Sequence, residues 1–322
     1  MTQPFKMLLT SAGRRAGLLD CFRTSAARIG TGIEIHACDL QPELSAACAL
    51  ADARFAAPPC THADYIPALL SYARDHGISL IVPTIDTELQ PLADAREEFA
   101  ASGITVHVSC PQTIAVVRDK QRTMDVLGAA GVPVPRTAPL EEFRQSGGDG
   151  WDWPVFVKPV SGSASRGIAR IHALSQLHGS YAEPMLVQQA LEGDEYTVNL
   201  FVADDGSVPA AVPHRRMSVR AGEVEKGRTV RRAHFETIAR QLAQALPGAR
   251  GVLCFQLFDD PRHGPRVIEI NARFGGGYPL ADRAGARFAE NVLRGAMSLP
   301  PVPCDAWQDG LTMLRYDNAV FV

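Results

Sequence analysis

The residues best placed by type and spacing to do chemistry fall in Val267-Ile268-Glu269-Ile270-Asn271-Ala272-Arg273. Side chains alternate faces along a strand, so Ile268 and Ile270 are expected in a core and Glu269 and Asn271 together on the opposite face. The preceding run, Cys254 to Phe258, turns through Asp259 to Arg266. If Phe258 pairs with Val267, Gln256 stands opposite Glu269 and three oxygen donors converge. Mg²⁺ takes a few protein oxygens and completes its octahedron with water and phosphate, which such a set would permit. Taken alone, the segment reads more readily as a solvated strand face.

A second stretch, Pro154 to Pro159, ends on Lys158 and runs into the small-residue loop Ser161-Gly162-Ser163-Ala164-Ser165-Arg166-Gly167. Backbone N–H groups of such a loop can close on anionic oxygens, and the lysine adds charge. The order is the reverse of a G-x-x-x-x-G-K-[ST] loop. An edge strand closed by Pro159 fits the same residues. A third stretch, Val187 to Val198, joins two strands through a short turn with Glu195 opening the second, where a carboxylate can accept from a ribose diol; an exposed turn acid is the simpler account.

Three further segments are candidates for holding a substrate. Gly275-Gly276-Gly277 follow Arg273 and offer backbone access beside the presumed metal strand. His214 to Arg232 carries Arg215, Arg216, Arg220, Lys226, Arg228, Arg231 and Arg232 against Glu223 and Glu225, a local 7 − 2 = +5, suited to an anionic small molecule; Arg216 and Lys226 are the candidates. Asp86 and Glu88 sit at the end of a strand, where open α/β sheets place ligands, although Thr87 and Gln90 also fit a capping box. Thr10 to Arg15 opens a helix without the G-x-G-x-x-G of a dinucleotide site. No Ser-His-Asp or Cys-His arrangement stands out.

The elements that must position these residues divide the chain. Phe5 to Thr10, Ile33 to Cys38, Ser79 to Pro83 and Ile104 to Val108 read as buried strands. Between them Arg15 to Ile29, Tyr65 to His76 and Thr87 to Ser102 carry apolar residues at helical spacing, so residues 1–109 predict an open parallel α/β sheet covered on both faces. Two short helical patterns, Gln112 to Val117 and Thr123 to Ala130, follow. From Pro154 strands dominate: Val155 to Lys158, Gly167 to Ile171, Met185 to Gln189, Tyr196 to Val202, Val252 to Phe258 and Val267 to Asn271. Helices recur at Arg232 to Leu246 and Phe288 to Met297. This half reads as α+β with mainly antiparallel sheets.

Composition narrows the function classes. Across 322 residues, 32 Lys and Arg stand against 35 Asp and Glu, a formal charge of −3, whereas a nucleic-acid binder is expected to carry a strongly basic domain. No run approaches the roughly 18 to 20 apolar residues of a membrane span. The seven cysteines are scattered and form no C-x-x-C pair, which fits reduced thiols and a cytoplasmic protein.

The Lys158 loop, the Glu195 turn and the Glu269 strand in this order, with Asp119, Lys120 and Thr123 upstream, resemble the ATP-grasp superfamily from about Asp119 to Gly285. The nearest likeness is to one half of the carbamoyl phosphate synthase large chain. The resemblance implies a pre-ATP-grasp α/β domain over 1–109, a small lobe over 110–186 with a phosphate-covering loop, and a large lobe over 187–322. It implies that Lys120, Lys158 and the loop containing Ser161, Gly162, Ser163 and Ser165 meet the phosphates of ATP. Gln188, Gln189, Ala190 and Leu191 would hold adenine, largely through backbone groups, and Gln188 stands where many relatives have Glu. Glu195 would take the ribose, and Gln256, Glu269 and Asn271 would hold Mg²⁺ or Mn²⁺. Arg273 would stabilise the transferring phosphoryl group, and in similar proteins the stretch containing Arg216 and Lys226 lines the cleft. The implied reaction is phosphorylation of a small-molecule carboxylate followed by attack of an amine, releasing ADP and phosphate. Alternatives are release of an acyl or carbamoyl phosphate, with a partner chain or homodimer restoring a second ATP unit, and an ATP-binding sensor without turnover. An NAD-dependent oxidoreductase loses on the missing glycine fingerprint.

Overall fold

The computed structural model describes residues 3–162 and 167–322. It is organised around three sheets. The first strands are β1 (Phe5–Leu9), β2 (Ile33–Asp39), β3 (Ala53–Ala56), β4 (Leu80–Val82) and β5 (Thr105–Val106). They form a parallel sheet in the order β3-β2-β1-β4-β5. Leu8 and Ile81 point into one core and Met7, Leu9, Leu80 and Val82 into another, so both faces are covered, as a parallel sheet requires. The strand β3, with its alternating half-buried and exposed residues, carries no apolar run and was not apparent in the sequence. The expected helix Thr87 to Ser102 is broken: a short 3₁₀ turn leads to separate helices Leu89–Asp94 and Arg96–Ala100.

After two helices, Pro111–Val117 and Lys120–Ala129, come β6 (Thr137–Pro139), β7 (Val155–Pro159), β8 (Ala169–Ile171) and β9 (Met185–Gln189), an antiparallel sheet in the order β6-β9-β7-β8. It has its own small core of Leu140, Phe143, Trp151, Val155, Val157, Ile171 and Val187.

The remaining strands are β10 (Asp194–Val202), β11 (Ala210–Arg220), β12 (Glu223–Thr229), β13 (Gly251–Asp260), β14 (Gly264–Asn271) and β15 (Thr312–Leu314), ordered β14-β13-β10-β11-β12-β15. The charged stretch around Arg216 therefore lies in a hairpin. Its two turn residues, Ala221 and Gly222, both have positive φ, 50° and 78°, the requirement of the tight turn that matches strand twist. Val198, Leu200, Phe255 and Ile270 share a core with Leu8, Ile81 and the helix Ala233–Ala245. Ala210, Val212, Phe274 and Tyr278 share the other with the helices Ala16–Ile29 and Phe288–Ala296. The first and third sheets are thus fused by two common cores, while the middle sheet packs largely within itself. Among the described residues no helix is long and apolar enough to cross a membrane.

Candidate active site

A cavity of about 630 Å³ opens between the middle sheet, the large sheet and the carboxyl-end loops of the parallel sheet. Its floor is the pair β13 and β14. Gln256 lies opposite Glu269 and Cys254 opposite Asn271, so the three expected oxygen donors do share one patch and line the cavity. The pairing that was to produce this differs. Phe258 meets Arg266, and Val267 meets Leu257, because a bulge adds one residue to β14 at Ile268. A bulge places two residues against one and re-aims side chains. Hence Ile268 lines the cavity together with Glu269, while Val267 and Ile270 enter the core; the expectation that Ile268 is a core residue fails for this reason.

The facing wall comes from the middle sheet. Lys158, only 7% exposed, donates from Nζ to Gln188 Oε1 at 2.8 Å. Burial pulls its ammonium down to about 8, opposed by Glu269 and reinforced by Lys120. Lys120 donates to the carbonyl of Gly162 at 2.8 Å, and burial also lowers its pKa, with Glu269 opposing. Two lysines thus face the single carboxylate of the floor. Gln188 donates one amide N–H to Thr137 Oγ1 at 3.0 Å, so its side chain is held from both ends while it accepts from Lys158, and it too lines the cavity. Gln189 and Leu191 line the cavity beside Ser161 and Gly162, with Phe156, Ile168 and Phe258 as apolar neighbours. Ala190 is buried and is not part of the lining. Ser163 and Ser165 lie outside the described residues.

Glu195 reaches the cavity from β10, and Arg216 Nε stands 2.9 Å from its Oε1. Burial raises the Glu195 pKa, with Arg216 opposing. Arg216 also donates to Thr197 Oγ1 at 3.3 Å and to the Gly222 carbonyl at 3.1 Å, tying this acid to the hairpin tip. Most of the rest of the basic run dissolves into ion pairs, Arg215 with Asp194, Arg220 with Glu225 and Asp317, Arg231 with Glu236 and Arg232 with Asp259, while Arg228 donates to the Gly310 carbonyl at 3.2 Å. Lys226 is exposed and outside the cavity lining, so its assignment as a substrate residue is corrected.

At the far end Arg273 Nη2 donates to Asp86 Oδ2 at 2.6 Å and to Asn271 Oδ1 at 3.0 Å. Side-chain exposures of 12% and 10% make Arg273 and Asp86 a nearly buried pair. Burial works against the guanidinium, but Asp86, Cys254 and Glu269 together raise its pKa. Asp86 belongs to this site as the partner of Arg273. Glu88 does not: it is fully buried, because Oε1 accepts from Thr84 N and Ile85 N, and Oε2 from Ser11 Oγ and Tyr65 OH. It, rather than Thr87 and Gln90, caps the turn. The three glycines are also corrected. A side-chain carbon at Gly276 would come within 2.5 Å of the Glu223 carboxyl and one at Gly277 within 2.6 Å of His214, so these two permit close packing of the hairpin over the chain, and one at Gly275 would come within 2.9 Å of Cys254 Sγ on β13; the cavity lining runs past all three.

Sequence reasoning passed over Arg14, Arg15 and Glu223, which complete this end. The signal was two arginines just after a strand; the strand order that makes the position special was not visible.

A family model described as an ATP-grasp domain matches residues 117–277, and one described as PylC-like, N-terminal domain matches residues 7–107. The chain belongs to the ATP-grasp family. Its similarity to a D-alanine–D-alanine ligase of Xylella fastidiosa is 33% identity over 108 residues, 30% of this chain and 34% of the ligase. The chain therefore spans about a third of that relative. Among solved structures, the N5-carboxyaminoimidazole ribonucleotide synthetase of Thermotoga maritima superposes with TM-score 0.68 at 18% identity, covering 96% of this chain and 79% of that one. A biotin carboxylase of Campylobacter jejuni in complex with β-γ-ATP gives TM-score 0.75 at 16% identity, covering 95% and 74%. At these identities the ATP-grasp likeness to both is one of fold.

Proposed function

We propose that this ATP-grasp protein is an ATP- and Mg²⁺-dependent ligase that phosphorylates a small-molecule carboxylate and couples the acyl phosphate to an amine, releasing ADP and phosphate. The observation that carries the reading is the meeting, across one cavity, of Lys120 and Lys158 with Gln256, Glu269, Asn271 and Arg273. In this reading residues 1–109 face the substrate, 110–186 cover the phosphates and 187–322 hold metal and substrate. The relatives' names, a D-alanine–D-alanine ligase and a biotin carboxylase in a β-γ-ATP complex, support the same class.

The donor set fits Mg²⁺. All three side chains offer hard oxygens, and Asn271 Oδ1 accepts from Arg273 while keeping a second lone pair. Among the described residues no cluster of three or more His, Cys, Asp and Glu competes for the ion. Bound there, Mg²⁺ would neutralise phosphate charge. The protein's own residues supply position and electrostatics. Lys158 and Lys120 would draw phosphate oxygens to the wall, and Glu195 would accept from the ribose. Arg273, fixed by Asp86 and Asn271, would meet charge growing on the transferring group without having to reorganise, which is where such a donor contributes most. No protein nucleophile is needed, because alignment supplies much of the barrier reduction.

The test is ADP release with MgATP over a panel of carboxylates, amino acids and bicarbonate, each with and without amines. A carboxylate and an amine that stimulate only together support the ligase. Stimulation by one acid alone would replace it with acyl phosphate release.

A further inference from the structure

The order β3-β2-β1-β4-β5 reverses direction between β1 and β4. Loops leaving the carboxyl ends of two such strands diverge and open a crevice, and here they are Thr10 to Arg15 and Pro83 to Glu88. Both reach the cavity, the first with Arg14 and Arg15, the second with Ile85, Asp86 and Thr87.

The arginine loop is held rigidly. Ser11 has φ of 48°, a conformation that a residue with a side chain seldom adopts, and it persists because its surroundings over-determine it. Its hydroxyl donates to buried Glu88 and its carbonyl accepts from Thr84 Oγ1. Gly13 N–H donates to Asp39, and the Gly13 carbonyl accepts from Ser45 Oγ. A strained loop pinned at four points fixes where the backbone of the two adjacent arginines lies.

Among the described residues their charge is not balanced. Glu223 Oε1 is taken by Arg15 Nη1 at 2.8 Å and Oε2 by Arg315 Nη1 at 2.9 Å, while Arg14 Nη2 stands 3.9 Å away. Three guanidinium groups share one carboxylate, an excess of two positive charges. The other two described arginines of the cavity lining are each matched by an acid, Arg273 by Asp86 and Arg216 by Glu195. Arg14 keeps 62% of its side chain exposed and Arg15 only 16%. Arg15 lines the same cavity as Arg273, Asp86 and Asn271, so a group bound there lies within a small molecule's reach of the transfer point.

We propose that Arg14 and Arg15 form an oxyanion subsite that holds a negatively charged group of one substrate, distinct from the carboxylate being activated. The inference deepens the ligase reading and rests on it for the identity of the bound molecule. A guanidinium fork suits a carboxylate or a phosphate alike, and either substrate can carry it.

The experiment uses the full chain with saturating MgADP. Binding is measured by titration calorimetry for succinate against succinamate, glycine against glycinamide and phosphoserine against serine, in wild type, Arg14→Ala and Arg14→Lys. These pairs place the extra anion on the acid, on the amine and on a phosphate, respectively. At least one charged member is expected to bind wild type roughly tenfold or more tightly than its neutral partner, the worth of a charge-assisted hydrogen bond. Arg14→Ala should abolish that preference and Arg14→Lys restore part of it. No preference in wild type, or one that survives Arg14→Ala, overturns the subsite. The same pairs in the ADP-release assay separate the two readings. A charge preference without ligation keeps the subsite and sinks the ligase; ligation indifferent to the extra anion does the reverse.

Discussion

Replacing Lys158 by Met should make the nucleotide-free protein more stable and useless at binding nucleotide. Burial lowers the Lys158 pKa from 10.5 to about 8, and a tenfold change in proton affinity is worth roughly 1.4 kcal/mol. Holding this ammonium charged in the folded state therefore costs about 3 kcal/mol at neutral pH. Met fills the stem's volume without the charge but leaves Gln188 Oε1 without its 2.8 Å donor, a loss of about 1 kcal/mol. The net expectation is a gain of about 2 kcal/mol, read from urea denaturation midpoints at pH 7. The pH dependence identifies the cause. Between pH 8 and 10.5 the unfolded lysine keeps a proton that the folded one has released, so wild-type stability rises through that window relative to the variant. The two curves should differ by about 2 kcal/mol below pH 8, converge above it and cross before pH 10.5, where wild type keeps its hydrogen bond and leads by about 1 kcal/mol. MgATP should raise the melting temperature of wild type and leave Lys158→Met unmoved. If the variant is the less stable at pH 7 and the curves stay parallel to pH 10, the buried-cation argument is refuted.

Further outcomes are expected of other residues. Glu269→Ala removes the one carboxylate of the donor set, and Mg²⁺-dependent ADP release should fall by at least 10- to 100-fold, the cost of even an outer-shell metal partner (roughly). Asp86→Asn leaves the Arg273 guanidinium buried without its anion; chemical denaturation should show a loss of about 3 kcal/mol, and kcat should drop more than the KM for ATP rises. Glu88→Gln puts an amide N–H among four donors, so a destabilisation of about 2 kcal/mol is expected in urea titrations. His107 and His214 are both held near a pKa of about 3, chiefly by burial, with Arg250 acting on the first and Arg216 and Arg315 on the second. Below pH 6.5 the unfolded chain binds protons that the folded one refuses, so each histidine should remove about 1.4 kcal/mol of stability per pH unit as pH falls toward 3; His107→Gln should flatten the acid limb of the melting curve.

Much of this arrangement was written in local pattern. The helices Ala16–Ile29 and Tyr65–His76 follow apolar residues at three-to-four spacing, and strands such as β1 and β7 are dense enough in apolar residues to declare themselves. Strand alternation with an assumed pairing grouped Gln256, Glu269 and Asn271, and Lys158 stood out by closing a strand before a small-residue loop; the resemblance to the ATP-grasp superfamily is what favoured these over a solvated strand face and a plain edge strand. The hairpin β11 and β12 was hidden by its charges, since Arg215, Arg216 and Arg220 each carry an anion from another element and the run reads as polar until those partners are in place.

What the sequence determined by itself was therefore the set of chemical groups and the elements that carry them, because periodicity and side-chain chemistry act over a few residues. What only the tertiary structure decided was which groups meet. Glu88 and Asp86 are two residues apart on one turn, yet packing buries the first beneath Ser11 and aims the second at Arg273, 187 positions away. The bulge at Ile268, the three arginines around Glu223 and the place of Arg14 at the reversal of strand order are all set by contacts between distant segments, and no local pattern encodes a contact whose partner lies in another sheet.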